Sequence, residues 1–248
     1  FLAINRIPVA PFAAIPDLAA LERELKEIGI PAVLKTTRLG YDGKGQRIIR
    51  KRGEAAAAFE ALAPKPLVLE AFVPFEREIS VIVARGMDGR LAAYDPAENV
   101  HRDHILKTST VPARIGPRTA ATAIEIAGRI ATALDYVGVL GVEFFALKGG
   151  KLLVNEIAPR VHNSGHWTEA VCITDQFEQH IRAICGWPLG DTRRLAGVVM
   201  ENLIGEEADG FADRLKPGRQ PHLYGKAESR PGRKMGHITR IVAKTARN

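Results

Sequence analysis

Two neighbouring strand-like runs most constrain what this chain can fold into. Residues 139–147 and 152–157 are rich in β-branched and apolar side chains, and two adjacent glycines lie between the runs. Short apolar runs joined by such a turn are typical of a β-hairpin. Each run carries one glutamate among apolar neighbours, Glu143 and Glu156. Carboxylates on adjacent strands can face each other across a ladder pair, so the segment predicts an antiparallel hairpin with a candidate carboxylate pair.

The carboxylate pair suggests a metal site. A carboxylate surrounded by apolar strand residues is costly to bury unless it is paired or bound to a metal ion. Hard oxygen ligands of this kind suit Mg²⁺ that carries substrate phosphates. We therefore predict that Glu143 and Glu156 are magnesium ligands. The alternative is that both glutamates occupy exposed strand positions.

The remaining chain mixes helical and strand patterns, which predicts an α+β protein. Helical spacing of apolar residues occurs at 17–27, 54–62, 117–134 and 175–185. Strand patterns occur at 31–35, 47–49, 67–71, 78–85, 90–94, 198–203, 221–224 and 237–242. We predict a first lobe over residues 1–88, a second lobe over 89–190 and a β-rich C-terminal domain over 191–248.

Composition narrows the class of partner. The chain is 46% hydrophobic and 25% charged, which is ordinary for a globular protein. Its formal charge of +7 is spread along the sequence, and aromatics are only 6%, so a polyanionic small substrate is favoured over nucleic acid. Nucleic-acid binding remains an alternative on charge alone. No apolar stretch approaches the length of a membrane span, so we expect no membrane partner.

The cellular compartment is predicted from the cysteines and the first residues. The two cysteines, Cys172 and Cys185, are too few for a disulfide scaffold and lie in apolar surroundings, so we predict two buried, reduced thiols. The first residues show no signal-peptide pattern. Both observations favour a cytoplasmic protein.

A glycine-rich segment follows a lysine at the end of a predicted strand. Lys35 ends that strand, and residues 40–46 contain three glycines. Glycines let backbone N–H groups approach phosphates, and lysines neutralise phosphate charge. The spacing matches neither a Walker A motif nor a dinucleotide-binding fingerprint. On this pattern alone, a nucleotide phosphate loop and a glycine-rich hairpin without a ligand are equally compatible with the sequence.

The predicted strand 67–71 leads through a proline into an acidic segment. Backbone groups of Phe72 and Val73 are candidates to read the edge of an adenine ring, and the Glu78 carboxylate is a candidate acceptor for ribose hydroxyls. The alternative is a connection between lobes with solvated charges. Taken alone, the segment favours that alternative.

Two further segments concentrate hydrogen-bond donors and cations. Residues 160–167 contain Arg160, two histidines, an asparagine and a serine directly after the predicted metal strand. Lys226 and Arg233 bracket a Pro-Gly turn, an arrangement that favours a phosphate clamp. The alternatives are that Ser164 caps a helix, that one histidine is structural, and that the two cations are solvated.

The order of these segments resembles the ATP-grasp superfamily. A lysine strand, a glycine loop, a hinge, an acidic residue, a carboxylate hairpin and an Asn-Glu pair follow one another as in that fold. Within the superfamily, the spellings at 40–46, 76–80, 155–160, 162–168 and 233–237 resemble the 5-(carboxyamino)imidazole ribonucleotide synthases. The last two spellings are the specific ones. The resemblance extends over essentially all 248 residues.

This resemblance implies two α+β lobes that clasp ATP, followed by a small β-rich C-terminal domain. It implies an ATP-dependent carbon–nitrogen ligase of de novo purine biosynthesis, with Mg²⁺ and ATP as cofactors. The substrates would be bicarbonate and 5-aminoimidazole ribonucleotide, and the products N5-carboxyaminoimidazole ribonucleotide, ADP and phosphate. A homodimer is expected. The family begins with a further α/β domain, which we expect this sequence to lack.

The resemblance also assigns roles to residues. The implied catalytic residues are Lys44, Arg160 and Tyr41. The implied ATP-binding residues are Lys35, Gly40, Tyr41, Asp42, Gly43, Lys44, Gly45, Gln46, Glu70, Ala71, Phe72, Val73, Glu78, His101, Asn155 and Glu156. The implied substrate-binding residues are Arg160, His162, Asn163, Ser164, His166, Lys226 and Arg233. The implied metal ligands are Glu143 and Glu156.

Two alternative functions remain open at this stage. Another ATP-grasp ligase, such as a formate-dependent glycinamide ribonucleotide transformylase, would share the ATP site but differ in residues 160–168. A non-catalytic nucleotide-binding fragment is favoured by the expected loss of a domain. The presence of both carboxylates and of the donors at 163–166 favours an enzyme.

Overall fold

Thirteen strands and five α-helices make up the part of the chain, residues 1–38 and 44–242, that the computed structural model describes. The strands are β1 (Phe12–Ile15), β2 (Ala32–Thr36), β3 (Gln46–Ile49), β4 (Leu67–Ala71), β5 (Arg77–Arg85), β6 (Leu91–Ala93), β7 (Ala97–Arg102), β8 (Ile105–Val111), β9 (Gly138–Ala146), β10 (Leu152–Ala158), β11 (Gly197–Ile204), β12 (Arg219–Leu223) and β13 (Lys234–Val242). The helices are α1 (Leu18–Glu27), α2 (Ala55–Leu62), α3 (Pro117–Ala133), α4 (Thr168–Val171) and α5 (Gln176–Ile184).

The chain forms two compact units. The small unit contains Val9–Pro74 together with Asp103–Ile105. The large unit contains Phe1–Pro8, Phe75–Arg102 and the described chain from Leu106 onwards. None of the described helices combines the length and apolar content needed to cross a membrane.

The small unit is a four-stranded antiparallel sheet with the order β1-β4-β2-β3, packed against α1 and α2. Helix α1 begins where the sequence predicts, because the Asp17 side chain caps it by accepting a hydrogen bond from the Ala20 backbone N–H at 2.7 Å. The apolar stripe of α1 packs into the unit's core, where Leu21, Leu34 and Leu69 are fully buried. The predicted helices and strands of this region are therefore confirmed.

The large unit is built on one sheet with the order β10-β9-β5-β7-β8-β11-β13-β12, and β6 pairs with β5. Helix α3 packs on β5 and β9, and α5 also contacts both strands. One core cluster of this unit contains the buried rings of Trp167 and Tyr94. Their ring centroids lie 6.3 Å apart in an edge-to-face arrangement. The buried Tyr94 hydroxyl donates to the Thr174 carbonyl at 2.9 Å, so its polar group is satisfied.

One of the predicted boundaries differs from the structure. The first lobe was expected to end at residue 88, but the small unit ends at Pro74 because β5 pairs with β9 along its whole length. Residues 191–248 were predicted to form a β-rich C-terminal domain, and this region contains β11, β12 and β13. Strands β11 and β13 also extend the large sheet, since β11 pairs with both β8 and β13.

The sequence patterns missed strands β1, β7 and β8 and the short helix α4. In β7 the hydrophobic alternation is broken by Glu98, a carboxylate that is only 6% exposed. Arg77 and Arg114 pair with Glu98, and the hydrogen bonds from Arg114 lower its pKa despite burial. Those partners are remote in sequence, so local patterning predicts no buried strand there.

The cysteine prediction is wrong in part. Cys185 is exposed and Cys172 is half-buried, although neither forms a disulfide. Cys185 lies just past the last residue of α5, on the exposed side of that helix end. The apolar neighbours that suggested burial, Ile184 and Trp187, are themselves exposed.

Candidate functional site

In the small unit, two predicted ATP-binding residues meet. Lys35 lies on β2 and Glu70 on the neighbouring strand β4, where Glu70 is registered opposite Val33. The two side chains are diagonal neighbours on one face of the sheet, and the Lys35 ammonium donates to a Glu70 carboxylate oxygen at 2.6 Å. Both side chains remain about a quarter exposed, at 25% and 29%, so they also reach solvent.

The glycine-rich segment connects β2 to β3 as an antiparallel pair, with Lys35 registered opposite Gln46. Gly45 has a φ of +77° and its carbonyl accepts from the Thr36 N–H at 2.8 Å, a conformation that favours glycine. The strands on either side of the segment therefore pair with each other. Lys44 is exposed, whereas Gly40, Tyr41, Asp42 and Gly43 lie outside the described residues, so the phosphate-binding role of the segment stays a prediction.

The predicted adenine-reading segment is partly engaged with its own unit. The Ala71 N–H donates to the Pro11 carbonyl at 2.9 Å, and the Phe72 N–H donates to the Pro31 carbonyl at 3.2 Å. These two N–H groups are therefore not offered to a ligand. The groups that remain available for the predicted adenine contact are the Phe72 carbonyl and the backbone of Val73. The Phe72 side chain beside them is 40% exposed.

In the large unit, the carboxylate pair has the predicted geometry. Glu143 on β9 is registered directly opposite Glu156 on β10, and a β-bulge at Asn155 interrupts the ladder just before that pair. The Glu143 side chain is only 14% exposed, whereas Glu156 is exposed. The expectation of an apolar surrounding therefore holds for Glu143 and fails for Glu156.

The electrostatics of Glu143 fit a bound cation. Burial raises the pKa of Glu143 to about 7, and the nearby Glu156 carboxylate adds to this effect while the His101 imidazole opposes it. A divalent cation would offset both the loss of hydration and the repulsion between the carboxylates. The two glutamates therefore suit Mg²⁺, as their oxygen ligands predict.

Two further predicted ATP-binding residues contact each other beside this pair. Glu78 on β5 lies within 2.9 Å of His101 on β7, from carboxylate oxygen to Nδ1. Burial disfavours the charged imidazole, but the hydrogen bond and charge of Glu78 outweigh burial and raise the pKa of His101. Glu78 and His101 also influence the pKa of Glu143, so these three groups lie close together.

His162 packs tightly against the carboxylate strand. A Cβ added at Gly141 on β9 would lie 2.8 Å from the His162 Cβ, so only glycine fits there. The His162 Nε2 lies 3.7 Å from a Glu143 carboxylate oxygen, and its Nδ1 lies 2.8 Å from the Ser164 hydroxyl. Burial, followed by the positive charge of Arg160, lowers the pKa of His162 to about 3, so this imidazole is neutral.

The Ser164 side chain makes hydrogen bonds inside the protein. Its side chain is fully buried, and its hydroxyl accepts from the Ser80 hydroxyl at 2.7 Å besides contacting His162. These contacts fix the 3₁₀ turn Asn163–Gly165 on strand β5. The side chain thus positions its neighbours, and the predicted substrate contact of Ser164 stays untested.

Asn163 is held by a residue that the sequence patterns did not single out. Its amide forms two reciprocal hydrogen bonds with the fully buried Asn202 of β11, at 2.9 Å and 2.7 Å. Asn202 also donates to the Leu106 carbonyl at 2.9 Å. No local signal marks Asn202, because its importance depends on pairing with a segment 39 residues away.

Replacing Asn202 by Ala should destabilise the protein by about 1–3 kcal/mol, since the Leu106 carbonyl and the Asn163 amide both lose a buried partner. Urea unfolding of the wild type and of the Asn202→Ala variant measures the difference. Asn155→Ala is the matched control, because that asparagine lies at the half-buried bulge. An unchanged midpoint for Asn202→Ala would show that the amide pair contributes nothing to stability.

The predicted phosphate clamp contains a third cation. The Lys226 ammonium donates to the Lys234 carbonyl at 2.6 Å, and the Arg233 guanidinium donates to the Glu228 carbonyl at 3.2 Å. Partial burial, followed by the charges of Arg233 and Lys234, lowers the pKa of Lys226. The structure therefore gathers Lys226, Arg233 and Lys234, although the sequence singled out only the first two. Lys234 also lowers the pKa of Glu143, so it lies near that carboxylate.

His166, the remaining predicted substrate ligand, lies in a cluster of rings. It stacks on Phe177 at 5.3 Å and on His237 at 5.0 Å, and its Nδ1 lies 2.9 Å from the Gln176 amide nitrogen. Burial, followed by the positive charge of His222, lowers the pKa of His166 to about 4. Arg160 is exposed and donates to the Val161 carbonyl at 2.9 Å.

Comparison with known protein families identifies two matching domains. The ATP-grasp domain matches residues 1–177, and the phosphoribosylaminoimidazole carboxylase C-terminal domain matches residues 198–247. The second match begins seven residues after the predicted start of the C-terminal domain at residue 191.

Individual proteins match over almost the whole chain. An N5-carboxyaminoimidazole ribonucleotide synthase from Brucella melitensis biotype 1 is 53% identical over 248 residues, which is 99% of this chain and 68% of that protein. The crystal structure of an ADP complex of an N5-carboxyaminoimidazole ribonucleotide synthetase superposes with a TM-score of 0.93 at 43% identity, covering 97% of this chain and 64% of that one. The Aspergillus clavatus N5-carboxyaminoimidazole synthase in complex with ADP and 5-aminoimidazole ribonucleotide superposes with a TM-score of 0.91 at 32% identity, covering 97% and 65%. The chain thus spans 64% to 68% of the length of these proteins.

Proposed function

Because this chain belongs to the ATP-grasp family and, within it, to the N5-carboxyaminoimidazole ribonucleotide synthases, we propose that it carries out their reaction. ATP and bicarbonate convert 5-aminoimidazole ribonucleotide to N5-carboxyaminoimidazole ribonucleotide, with release of ADP and phosphate. The activity is that of an ATP-dependent carbon–nitrogen ligase in de novo purine biosynthesis. The complex of the Aspergillus clavatus relative with ADP and 5-aminoimidazole ribonucleotide supports these substrates.

The observation that carries the proposal is the carboxylate pair of the large unit. Glu143 and Glu156 oppose each other across the β9–β10 ladder, and the pKa of Glu143 is raised by burial in a way that a cation would reverse. In this proposal both residues hold Mg²⁺, which when bound neutralises the charge of the nucleotide phosphates. The neighbouring Glu78 carboxylate and His101 imidazole contact the nucleoside.

The protein contributes positioning and charge to the phosphoryl transfer. Bicarbonate accepts the γ-phosphoryl group, and the resulting carboxyphosphate delivers its carboxyl group to the 5-amino group of the ribonucleotide. Lys35 and Lys44 neutralise phosphate charge, and Arg160 holds the bicarbonate-derived anion. Tyr41 and the backbone groups of residues 40–46 cover the labile intermediate, which would otherwise react with water.

The ribonucleotide has its own set of ligands in this proposal. Lys226 and Arg233 bind its 5′-phosphate, since burial and the nearby charge of Arg233 lower the pKa of Lys226, and an anion between the two cations would offset their repulsion. Asn163 and His166 offer hydrogen bonds to the rest of the ribonucleotide. The neutral His162 lies between this segment and the Glu143 carboxylate.

The test of the function is ADP release by the full-length protein, measured with bicarbonate in the presence and absence of 5-aminoimidazole ribonucleotide. We expect ADP release to depend on bicarbonate and to be coupled to consumption of the ribonucleotide. Turnover that requires formate and glycinamide ribonucleotide instead would support the other ATP-grasp ligase. ATP binding without turnover under any of these conditions would support a non-catalytic nucleotide-binding module.

We also propose a cytoplasmic homodimer, as the family resemblance implies. The cytoplasmic location is supported by membership of a purine-biosynthetic enzyme family. Light scattering of the full-length protein gives its mass in solution, and the mass of a single chain at micromolar concentration would exclude the dimer.

A further inference from the structure

A carboxylate and two imidazoles converge in the large unit on residues that the proposed reaction does not use. Glu169 lies on α4, His222 on β12 and His237 on β13. One ligand atom from each residue lies within 4.8 Å of the other two, so these described residues form a group of potential metal ligands. The His222 Nδ1 and the His237 Nε2 each lie 3.8 Å from a different Glu169 carboxylate oxygen.

The His237 side chain leaves a buried nitrogen unsatisfied. His237 is only 1% exposed, its Nδ1 lies 2.8 Å from the Tyr224 hydroxyl, and its Nε2 makes no hydrogen bond within the described chain. If Nε2 carries the proton, a buried N–H faces Glu169 at a distance too long for a hydrogen bond. If Nδ1 carries the proton, the Nε2 lone pair faces a carboxylate oxygen, which is repulsive. A cation bound by the Nε2 lone pair and by Glu169 would remove both problems, because Nε2 then carries no proton and its lone pair no longer faces a bare carboxylate.

The sheet places the two imidazoles side by side. His222 and His237 are registered opposite each other on β12 and β13, and their rings stack at 4.7 Å with an interplanar angle of 15°. Because an imidazole binds a metal through a lone pair in the ring plane, one ring must turn out of this stack to share an ion, and the more exposed His222 ring has the space to do so. A Cβ added at Gly236 would lie 2.4 Å from the His222 carbonyl oxygen, so the backbone of β13 lies directly against that of β12 next to this pair.

We propose that Glu169, His222 and His237 form a binding site for one divalent transition-metal ion, with Zn²⁺ as the preferred occupant. Two imidazole nitrogens and one carboxylate are a ligand set that suits Zn²⁺ and its neighbours in the first transition series, whereas Mg²⁺ selects oxygen ligands. Zn–N and Zn–O bonds of about 2.0–2.2 Å place tetrahedral ligand atoms about 3.3 Å apart, so the present 3.8 Å contacts with Glu169 must shorten by about half an ångström. Binding also requires rotation of the His222 ring out of its stack on His237. This site has no ligand in common with the proposed magnesium site of Glu143 and Glu156.

The surroundings supply the support that such sites normally have. The Tyr224 hydroxyl contacts the His237 nitrogen that does not face the metal position, which fixes the ring and its tautomer. The His222 side chain is 39% exposed and the Glu169 side chain is 24% exposed, so an ion reaches the position from solvent. A fourth ligand would be water.

The experiment is a Co²⁺ titration of the full chain in excess Mg²⁺, which fills sites made of oxygen ligands. Co²⁺ takes the same ligands as Zn²⁺ and reports its coordination through visible d–d absorption. We expect one Co²⁺ per chain with absorption bands typical of a four-coordinate ion, displaced by one equivalent of Zn²⁺. His222→Ala should abolish these bands, and Tyr224→Phe should weaken Co²⁺ binding by about 10- to 100-fold through loss of the supporting hydrogen bond.

Two comparisons decide whether the site is the one proposed. His104→Asn removes an exposed imidazole of the small unit and should leave the Co²⁺ spectrum unchanged. Glu143→Gln alters the proposed magnesium pair and should also leave it unchanged. If the bands persist in His222→Ala, or disappear in Glu143→Gln, the ion binds elsewhere and the proposal is overturned. Absence of any Co²⁺ binding by the folded wild type would overturn it equally.

Discussion

Replacing Glu143 by Gln is expected to lower ATP turnover by at least about 100-fold, the scale on which loss of one electrostatic group in an active site acts. The glutamine keeps the shape of the side chain but removes the charge that we propose binds Mg²⁺. Because burial already raises the pKa of Glu143 to about 7, a neutral amide should be tolerated in the fold. Urea unfolding of the variant should therefore match the wild type or show a higher midpoint.

The measurement is bicarbonate-dependent ADP release at limiting Mg²⁺ in the full-length protein. Glu156→Gln should behave in the same way, since Glu156 is the cross-strand partner of Glu143. Glu125→Gln is the matched control, because Glu125 is an exposed glutamate of α3. Near-normal turnover in either test variant would show that the replaced carboxylate is not a ligand of the metal.

Replacing Arg233 by Ala should raise the KM for 5-aminoimidazole ribonucleotide by about 10- to 150-fold, because a charge-assisted contact to an anion contributes roughly 1.5–3 kcal/mol. The KM for ATP should change little, since Arg233 belongs to the cationic group that we assign to the ribonucleotide phosphate. Arg233→Lys should recover only part of the loss, because an ammonium group cannot reproduce the guanidinium fork.

Steady-state kinetics with each substrate varied in turn separates the two possibilities. Arg230→Ala is the matched control, since Arg230 is an exposed arginine three residues away that pairs with Glu228. It should leave both KM values near those of the wild type. A variant at Arg233 that binds the ribonucleotide normally and ATP poorly would move this segment to the nucleotide side of the reaction.

The sequence by itself determined the elements whose signal is local. Helix α1 could be predicted because Asp17 and the leucines at helical spacing lie within one short window. The β9–β10 hairpin could be predicted because the strand period and a glycine turn are local signals. The direct pairing of Glu143 with Glu156 also depends on the bulge at Asn155, since the register set at the turn would place Asn155 opposite Glu143. The family resemblance likewise rests on contiguous spellings, so the matching ATP-grasp domain was foreseen.

Only the tertiary structure decided features that depend on distant segments. The Glu98 carboxylate of β7 is buried because Arg77 and Arg114 pair with it. These arginines are distant from Glu98 in the sequence, so no local pattern predicts the pairing. Asn202 holds Asn163 across a gap of 39 residues.

The same reason explains the cation and imidazole clusters. Lys226 and Lys234 are brought together by a turn, and Glu169 meets His222 and His237 only because β12 and β13 pair at the position that α4 covers. Short-range periodicity specifies which side of an element a residue takes. Which other element faces that side follows from the strand order of the sheet, which no local pattern contains.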